Sequence, residues 1–384
     1  MSARLPLDGL LVADFSRVLA GPLCTQLLGD AGARVIKVEE PERGDETRRW
    51  GPPFLHGIST YFLSINRNKE SLALDLRSEE GRRLAELLID RADVVVDNFL
   101  PAQRAELLGD VAARNPRAVH CSIAGYDADT PEEATPGYDL LAQAGAGLMA
   151  ITGDAAGEPM KIGVALSDVL TAHHAYGAIC AALVARERTG HGARIEVSLF
   201  SSTLASLVNV AQGALATNRE ATRWGNAHPS IVPYQLFHAR DRAFALGGGT
   251  DRHFRALCER VIERPELAND ARFATNSARV EHRETLVALL DAIFRTHDAA
   301  HWMERLRAVA IPCSLVQGVL EALRSDAGKE LVATIEHPTI GAYEAVRNPV
   351  RFDGERLPIR SAPRELGADT ERLIAELQRS KISE

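Results

Sequence analysis

The sequence predicts an α/β protein: a large domain built on a Rossmann-like, mostly parallel sheet, joined to a smaller α+β domain. Three observations support this fold class. Short apolar strand patterns alternate with helix patterns as far as Leu199, which is typical of a parallel sheet covered by helices on both faces. The pattern changes near Trp224, where strand-like pieces precede several amphipathic helices. The 384 residues also exceed one typical domain. We expect the large domain to comprise residues 1–220 and 326–384, and the small domain residues 221–325.

The strands of the large domain follow one another at short intervals. They are predicted at Leu10–Phe15, Arg34–Glu39, Ser71–Leu76, Val94–Val96, Ala118–Ala124 and Ala193–Leu199, and the small domain adds Tyr234–His238 and Arg242–Leu246. The first two strands enclose a predicted helix at Pro22–Leu28, which makes a compact βαβ unit. Another helix is predicted to begin at Ser78, because Glu79 and Glu80 would occupy its first turn, where the helix dipole favours acids.

The longest helical pattern lies in Met160–Gly192 and is predicted to stop at Gly190. Near its start Asp168 stands among apolar neighbours, where an ionised carboxylate costs free energy unless polar groups compensate. Two interpretations remain open from this stretch alone. Either Ser167 or Asp168 caps the helix start, or Asp168 is a carboxylate nucleophile held at a buried helix N-terminus.

Composition restricts the partners of the protein. The net charge of −8 and the pI near 5.9 argue against nucleic acid and anionic membranes, whose phosphates would be repelled overall. The five cysteines are scattered and show no zinc-ligand spacing, so we expect free thiols, a reducing cytoplasmic location and no metal. The N-terminus lacks the apolar core of a signal peptide. Val197–Asn218 carries no charge, but its serines, asparagine and glutamine favour a buried or subunit-interface helix over a membrane span.

Polar and aromatic residues follow the predicted strands of the large domain. Arg17 comes after the first strand, Arg77 after Ser71–Leu76, and Asn98 with Phe99 after Val94–Val96. The carboxyl ends of parallel strands are where open α/β sheets bind ligands, so these residues indicate an anionic, partly aromatic ligand such as a nucleotide. The sequence contains no GxGxxG turn after the first strand, no phosphate loop, and no serine or cysteine nucleophile motif.

Eight segments, taken in order, resemble the class III coenzyme A transferases, the CaiB/BaiF type that includes formyl-CoA transferase. They are DFSRVLAGP (Asp14–Pro22), VIKVEEP (Val35–Pro41), GDETRRWGPP (Gly44–Pro53), NRNK (Asn66–Lys69), ADVVVDNFLP (Ala92–Pro101), PGYDLLAQAGAG (Pro136–Gly147), RWGNAHPSIVPY (Arg223–Tyr234) and IPCSLV (Ile311–Val316). The resemblance covers nearly the whole chain. It implies an interlaced homodimer, with acyl-CoA and a small carboxylic acid as substrates.

The resemblance also implies site residues. The family's catalytic aspartate falls on Asp168, which would attack a thioester to form a mixed anhydride and then an aspartyl-CoA thioester. With an ordinary pKa of ~3.9, this carboxyl group would need no general base. The family's CoA contacts fall on Arg17, Val18, Leu19, Ala20, Leu74, Arg77, Asn98, Phe99, Arg104 and Tyr138. Candidate acceptor contacts are Arg48, His56, His228 and Tyr234.

Two departures from formyl-CoA transferase bear on the substrates. Glu40 stands where that enzyme has an arginine for the nucleotide, and AHPSIV (Ala227–Val232) replaces its tetraglycine loop. Formyl-CoA and oxalate are therefore disfavoured. Because Arg48 and the histidines offer groups for a second carboxylate, we expect a dicarboxylate acceptor such as succinate, mesaconate, malate or glutarate. Transfer within one dicarboxylate is also compatible with the sequence.

Three other functions compete with this one. The 2-methylacyl-CoA racemases resemble the same family, but they need a histidine where this chain has Tyr138, and a tyrosine with a pKa of ~10 is a poor base at neutral pH. A non-catalytic acyl-CoA-binding protein could use the same scaffold. An unrelated nucleotide-binding α/β protein would not account for the ordered run of segments.

Overall fold

The computed structural model describes residues 5–379, so the predicted domain ends at 1–4 and 380–384 lie outside the described residues. The chain divides into two compact units. The first contains the chain up to Met149, Lys161–Ala221 and the chain from Asp326 onward. The second contains Ala150–Met160 and Thr222–Ser325. The short excursion Ala150–Met160 thus groups with the second unit.

Strands and helices alternate through most of the first unit. The strands and helices of both units have the following bounds. The strands are β1 Leu11–Asp14, β2 Arg34–Glu39, β3 Phe54–Leu55, β4 Ile58–Ser59, β5 Lys69–Ala73, β6 Val94–Asp97, β7 Val119–Ala124, β8 Arg194–Ser198, β9 Tyr234–His238, β10 Ala243–Gly247, β11 Cys313–Leu315, β12 Val332–His337, β13 Gly341–Val346, β14 Arg351–Phe352 and β15 Glu355–Arg356. The α-helices are α1 Ala20–Asp30, α2 Thr60–Ile65, α3 Glu79–Ile89, α4 Pro101–Leu107, α5 Val111–Arg114, α6 Asp139–Gly145, α7 Leu148–Ile151, α8 Leu166–Thr189, α9 Leu199–Ala205, α10 Val208–Thr217, α11 Asp251–Ala256, α12 Pro265–Asn269, α13 Asn276–Glu281, α14 Arg283–Phe294, α15 Ala299–Ala308, α16 Val319–Arg324, α17 Asp326–Lys329 and α18 Thr370–Arg379. A 3₁₀ turn occupies Glu46–Arg49 and a π-helical turn Leu257–Val261.

The first unit is built on a six-stranded sheet in the order β5-β2-β1-β6-β7-β8, and every pairing is parallel. This confirms the predicted Rossmann-like sheet. The strand order reverses between β1 and β6, whose register pairs Ala13 with Val95. A crevice opens at the carboxyl ends of two such strands because their connections leave in opposite directions. The polar residues after β1 and β6 therefore flank the same crevice.

Two predicted elements differ from the structure. Strand β5 comprises Lys69–Ala73, so it starts and ends earlier than the predicted strand Ser71–Leu76. The polar Lys69 lies in the strand because its buried ammonium pairs with Asp14 at 3.0 Å. The predicted helix at Val197–Asn218 is broken into α9 and α10, which are bent by 77°. The break occurs where Val208 takes a positive φ of 36°. In residues 5–379 no single helix has the length and apolarity to cross a membrane; only this bent pair meets that test, by length and composition.

Helix α8 is the central helix of the first unit, and its apolar face packs on α1 and the sheet through Ala172, Ala175 and Ile179. It ends where predicted, at Gly190, which has a φ of 75°. The interpretation of Ser167 or Asp168 as the N-cap is wrong. Ala165 holds the cap position, and both side chains belong to the first helical turn.

Two glycines of this region give a matched test of helix energetics. Gly190→Ala is expected to destabilise the protein by about 1 kcal/mol, because a Cβ is unfavourable at positive φ. Gly177 lies on an exposed face in the middle of α8. Gly177→Ala is expected to stabilise the protein by about 0.5–1 kcal/mol, because the added Cβ would meet open space and alanine favours helix. Urea denaturation measures both, and equal signs for the two variants would contradict this description of the helix end.

The C-terminal segment completes the sheet from outside. The Asp369 carboxylate accepts the Ser71 N–H at 3.0 Å, and the Thr370 hydroxyl accepts the Ala73 N–H at 2.9 Å. Leu373 and Leu377 of α18 are buried in the core cluster that also contains α3. The free edge of β5 is thus covered by residues that the chain supplies almost at its end.

The second unit has its own core. Strands β9, β10 and β11 form an antiparallel sheet in the order β11-β10-β9. Phe294 of α14 stands edge-on to Phe237, Phe244 and Trp302, with ring centroids 5.0–5.2 Å away. Edge-to-face packing of this kind adds to the free energy gained from burial alone.

Candidate active site

The crevice between β1 and β6 contains a cavity of about 290 Å³. Its walls include Val18 and Ala20 after β1, Phe99 after β6, Tyr138 before α6, and Asp168 of α8. The sequence-predicted residues from four distant segments are therefore brought together.

Asp168 is 9% exposed. Burial raises the pKa of its carboxyl group to about 7, the Asp139 charge adds to the rise, and a hydrogen bond from the Ala20 N–H opposes it. The expectation of an ordinary carboxyl pKa is therefore wrong: near pH 7 the group is divided between its acid and its carboxylate. The first N–H groups of α1 form the positive end of the helix dipole, and this dipole stabilises the carboxylate form of Asp168.

Helix α1 begins at Ala20 and its N-cap is Leu19, whose side chain accepts no capping hydrogen bond. The first amides of a helix have no partner within it, so they are free to bind an anion. In α1, Ala20 lines the same cavity as Asp168, and its N–H lowers the pKa of the Asp168 carboxyl group. The side chain of Leu19, in contrast, is buried and does not line the cavity.

Two further residues lie near Asp168: Asp139, which the family resemblance matches to an acidic neighbour of Tyr138, and Tyr61, which the sequence did not indicate. Asp139 accepts the Ser167 N–H at 2.9 Å, so the cap of α8 comes from α6. Tyr61 of α2 lies close enough for the charges of Asp168 and Asp139 to act on it; its pKa is raised to about 12, chiefly by burial and then by these charges. Sequence distance concealed both contacts.

The wall that carries Tyr138 depends on two glycines in contact. A Cβ on Gly137 would lie 2.2 Å from the Cα of Gly125, so neither position accepts a side chain without displacing the backbone. Tyr138 follows Gly137 directly and is 56% exposed at the cavity. The close approach of the two backbones thus sets the position of this aromatic ring.

A second cavity, of about 710 Å³, adjoins the first. The two share Arg17, Glu46, Phe99 and Gln103 in their walls. Leu74, Arg77 and two further arginines, Arg43 and Arg49, line the larger one. Six acidic side chains line it as well: Glu39, Glu40, Glu42, Asp45, Glu46 and Asp75. The two adjoining cavities form one cleft that runs from a region of interspersed guanidinium and carboxylate groups to the Asp168 carboxyl group.

A family model described as CoA-transferase family III matches residues 7–370 of this chain. The chain belongs to this family. Among relatives, the transferase is 40% identical over 380 residues to the succinyl-CoA:glutarate CoA-transferase of Mus musculus, covering 97% of this chain and 87% of that protein. It is also 40% identical over 355 residues to the acetyl-CoA:oxalate CoA-transferase of Acetobacter aceti, covering 91% and 90%. Among solved structures, a CAIB/BAIF family protein from Brucella suis superposes with a TM-score of 0.86 at 38% identity, covering 98% of this chain and 100% of that one.

Some predicted site residues of the transferase lie elsewhere in the structure. Arg104 turns away from the cleft, binds Asp97 at 3.3 Å and lines a different cavity with His120. This geometry does not support Arg104 as a CoA contact, and the reason is the neighbouring Asp97, which binds its guanidinium.

Arg48 is also committed to a partner inside the transferase. Its guanidinium makes two hydrogen bonds to the Glu39 carboxylate, at 2.8 and 2.7 Å, and stacks on the Phe62 ring at 3.8 Å. It lines a separate cavity of about 290 Å³ with the exposed His56. The other two candidates belong to the second unit, where the His228 and Tyr234 rings lie 5.4 Å apart. A role of these four residues toward the acceptor acid stays a prediction.

The part of the transferase between residues 5 and 379 contains no group of three or more histidine, cysteine, aspartate or glutamate side chains placed to hold a metal ion.

Proposed function

We propose that this protein transfers coenzyme A from an acyl-CoA such as succinyl-CoA to a dicarboxylic acid, with Asp168 as the nucleophile. The observation that carries the proposal is the continuous cleft. Four arginines in its larger end, standing among carboxylates, are the groups that would bind the phosphates of CoA, and Asp168 stands at the other end, where the thioester would lie. An extended CoA molecule would place its two chemically distinct ends at these two sites.

The reaction would proceed through four acyl transfers. The Asp168 carboxylate attacks the thioester carbonyl, the C–S bond breaks, and a mixed anhydride and the CoA thiolate form. The thiolate then attacks the Asp168 carbonyl carbon, which releases the donor acid and leaves an aspartyl-CoA thioester. The acceptor carboxylate attacks this thioester to give a second anhydride and the thiolate. Attack of the thiolate on the acceptor's acyl carbon frees Asp168 and the new acyl-CoA.

The N-terminus of α1 supports these steps. Each attack places negative charge on a carbonyl oxygen, and amide N–H groups fixed in a buried site stabilise such charge without reorganising. Ala20, the first residue of α1, lines the cavity beside Asp168, and its N–H favours the carboxylate form of that group. We therefore assign the oxyanion-stabilising role to the first turn of α1.

The pH dependence of the rate is a direct test of this role for Asp168. Because only the carboxylate is nucleophilic and its pKa is about 7, kcat/KM is expected to fall about tenfold per pH unit below pH 7 and to level off above it. In Asp139→Asn, loss of a neighbouring negative charge lowers the pKa of Asp168, so the fall should begin at lower pH. A flat profile between pH 5.5 and 8 would contradict the assignment.

The names of two relatives support a dicarboxylate acceptor, since those from mouse and Acetobacter are named for glutarate and oxalate. We expect a screen of acyl-CoA donors against mono- and dicarboxylic acids, analysed by mass spectrometry, to show exchange among dicarboxylates of four or five carbons. Oxalate belongs in the screen, although AHPSIV at residues 227–232 disfavours it. Hydroxylamine added during turnover should leave a hydroxamate on Asp168. Exchange with no modified Asp168, or no exchange with any acid, would overturn the proposal.

We infer that the enzyme is a homodimer with α10 at the subunit interface. None of the ten residues of this uncharged helix is buried within the chain, and Val208 and Leu215 are 67% and 80% exposed. Apolar helices left uncovered to this degree usually bind another protein surface. Sedimentation equilibrium is expected to give twice the 41.6 kDa chain mass.

A further inference from the structure

The turn that joins β1 to α1 has an unfavourable backbone. Val18 has a φ of +71°, in the left-handed region, where a β-branched side chain is a clear outlier. Two residues later Ala20 lines the cavity that contains Asp168, and its N–H lowers the pKa of that carboxyl group. A conformation of this kind persists only when surrounding contacts impose it. The direction of the Ala20 amide therefore depends on whatever holds Val18.

A buried ion pair holds the two sides of this turn. The Asp45 carboxylate accepts the Val18 N–H at 3.3 Å, and the Lys37 ammonium donates to the Ser16 carbonyl oxygen at 2.8 Å. Asp45 and Lys37 bind each other at 2.9 Å, and their side chains are 0% and 2% exposed. Lys37 comes from β2 and Asp45 from the loop after it, so neither belongs to the turn they hold.

Asn98 binds both backbone groups of Arg17, the residue between Ser16 and Val18. Its side-chain oxygen accepts the Arg17 N–H at 3.0 Å, and its amide donates to the Arg17 carbonyl oxygen at 2.8 Å. The Ser16 N–H in turn binds Asp14 at 3.0 Å. Side chains outside the turn thus bind the N–H and carbonyl groups of Ser16 and Arg17 and the N–H of Val18.

We infer that Asp45, paired with Lys37, is a positioning residue for the transfer reaction: it imposes the left-handed Val18 and thereby directs the Ala20 N–H at Asp168. This inference rests on the proposed function. Asp45 borders the larger cavity but not the small one that contains Asp168, and its buried carboxylate is bound to Lys37 and to the Val18 N–H, so its effect on Asp168 passes through the turn. It also accepts the Thr47 N–H and hydroxyl, which ties the 3₁₀ turn Glu46–Arg49 to the same carboxylate.

The test compares two buried aspartates. Asp45→Asn is expected to lower kcat about 10- to 100-fold, the usual effect of a displacement of about 1 Å in an active site. It should also move the acidic fall of kcat/KM to higher pH, because the Ala20 N–H no longer favours the Asp168 carboxylate. The other ionisable groups around Asp168 stay unchanged: Asp139 and Tyr61, and the Arg17, Glu46 and Tyr138 side chains that line the same cavity. Asp30→Asn is the control, since Asp30 is equally buried and pairs with Arg67 at 2.6 Å outside the turn.

A second substitution tests the role of the strained residue. Glycine accepts positive φ without strain, so Val18→Gly removes the need for the ion pair to impose it. Measured as a double-mutant cycle, Asp45→Asn is expected to cost at least fivefold less in kcat in the Val18→Gly background. A merely structural role of Asp45 would lower thermal stability equally in both backgrounds and leave the pH profile where it is in the wild type.

Each outcome decides the inference. Equal kcat and equal pH profiles for Asp45→Asn and Asp30→Asn would overturn it, as would full additivity with Val18→Gly. Should Asp45→Asn fail to fold, Asn98→Ala, which leaves no buried lone charge, is expected to give the same pH shift and the same dependence on Val18→Gly. Hydroxylamine trapping in the wild type distinguishes a failure of the proposed function from a failure of this inference. No adduct on Asp168 contradicts the proposed function. A normal adduct, with the kcat and pH profile of Asp45→Asn unaffected, contradicts this inference alone.

Discussion

Asp168→Asn is expected to lower kcat for CoA transfer by at least about 10⁴-fold, because a neutral amide cannot form the anhydride on which every later step depends. Binding should survive, since the larger part of the cleft is untouched; calorimetry with CoA is expected to show a Kd within about threefold of the wild type. The matched control is Asp90→Asn, an exposed aspartate at the end of α3. Retention of more than one hundredth of the wild-type kcat would rule out Asp168 as the nucleophile.

The same substitution is expected to stabilise the folded protein at neutral and alkaline pH. Folding raises the pKa of Asp168 from 3.8 to about 7, so above pH 7 the folded state holds a buried charge that the unfolded chain solvates freely. Each pKa unit corresponds to about 1.4 kcal/mol, which gives Asp168→Asn an advantage of up to about 4 kcal/mol.

The pH window of this gain follows from the sign of the shift. Between pH 4 and 7 the unfolded chain is ionised while the folded protein keeps its proton, so wild-type stability falls as the pH rises, and the fall ends above pH 7. Urea denaturation of both proteins at pH 5 and pH 8 measures the difference, which should be clearly larger at pH 8. An equal difference at the two pH values would show that the substitution acts through packing.

Much of the sheet was predictable because hydrophobic runs mark strands buried on both faces. Arg34–Glu39 and Tyr234–His238 were predicted with the observed bounds. The errors have physical causes that local patterns do not contain. Lys69 is polar yet lies inside β5, because Asp14 of β1, two strands away in the sheet, neutralises it. The bend between α9 and α10 is likewise invisible in a run of uncharged residues.

For the site, the sequence indicated the right strand ends but not what each side chain binds. Arg17 and Phe99 line the cleft as expected, since position after a parallel strand determines which edge they occupy. Arg48 and Arg104 are bound instead by Glu39 and Asp97, acids that sit at the ends of β2 and β6. A cation in a turn or helix looks free in the sequence, and only the fold shows the acid at the strand end that already holds it.

The late arrival of the segment that seals β5 has a consequence for biosynthesis. All six strands of the parallel sheet have been synthesised while the ribosome is still making the second unit. At that stage β5 lacks the Asp369 and Thr370 groups that bind its outer amides. An uncovered strand is a template for pairing with another nascent chain. The enzyme would thus be most prone to aggregate during translation, and truncation before Asp369 should send it to inclusion bodies even though every residue of the cleft is present.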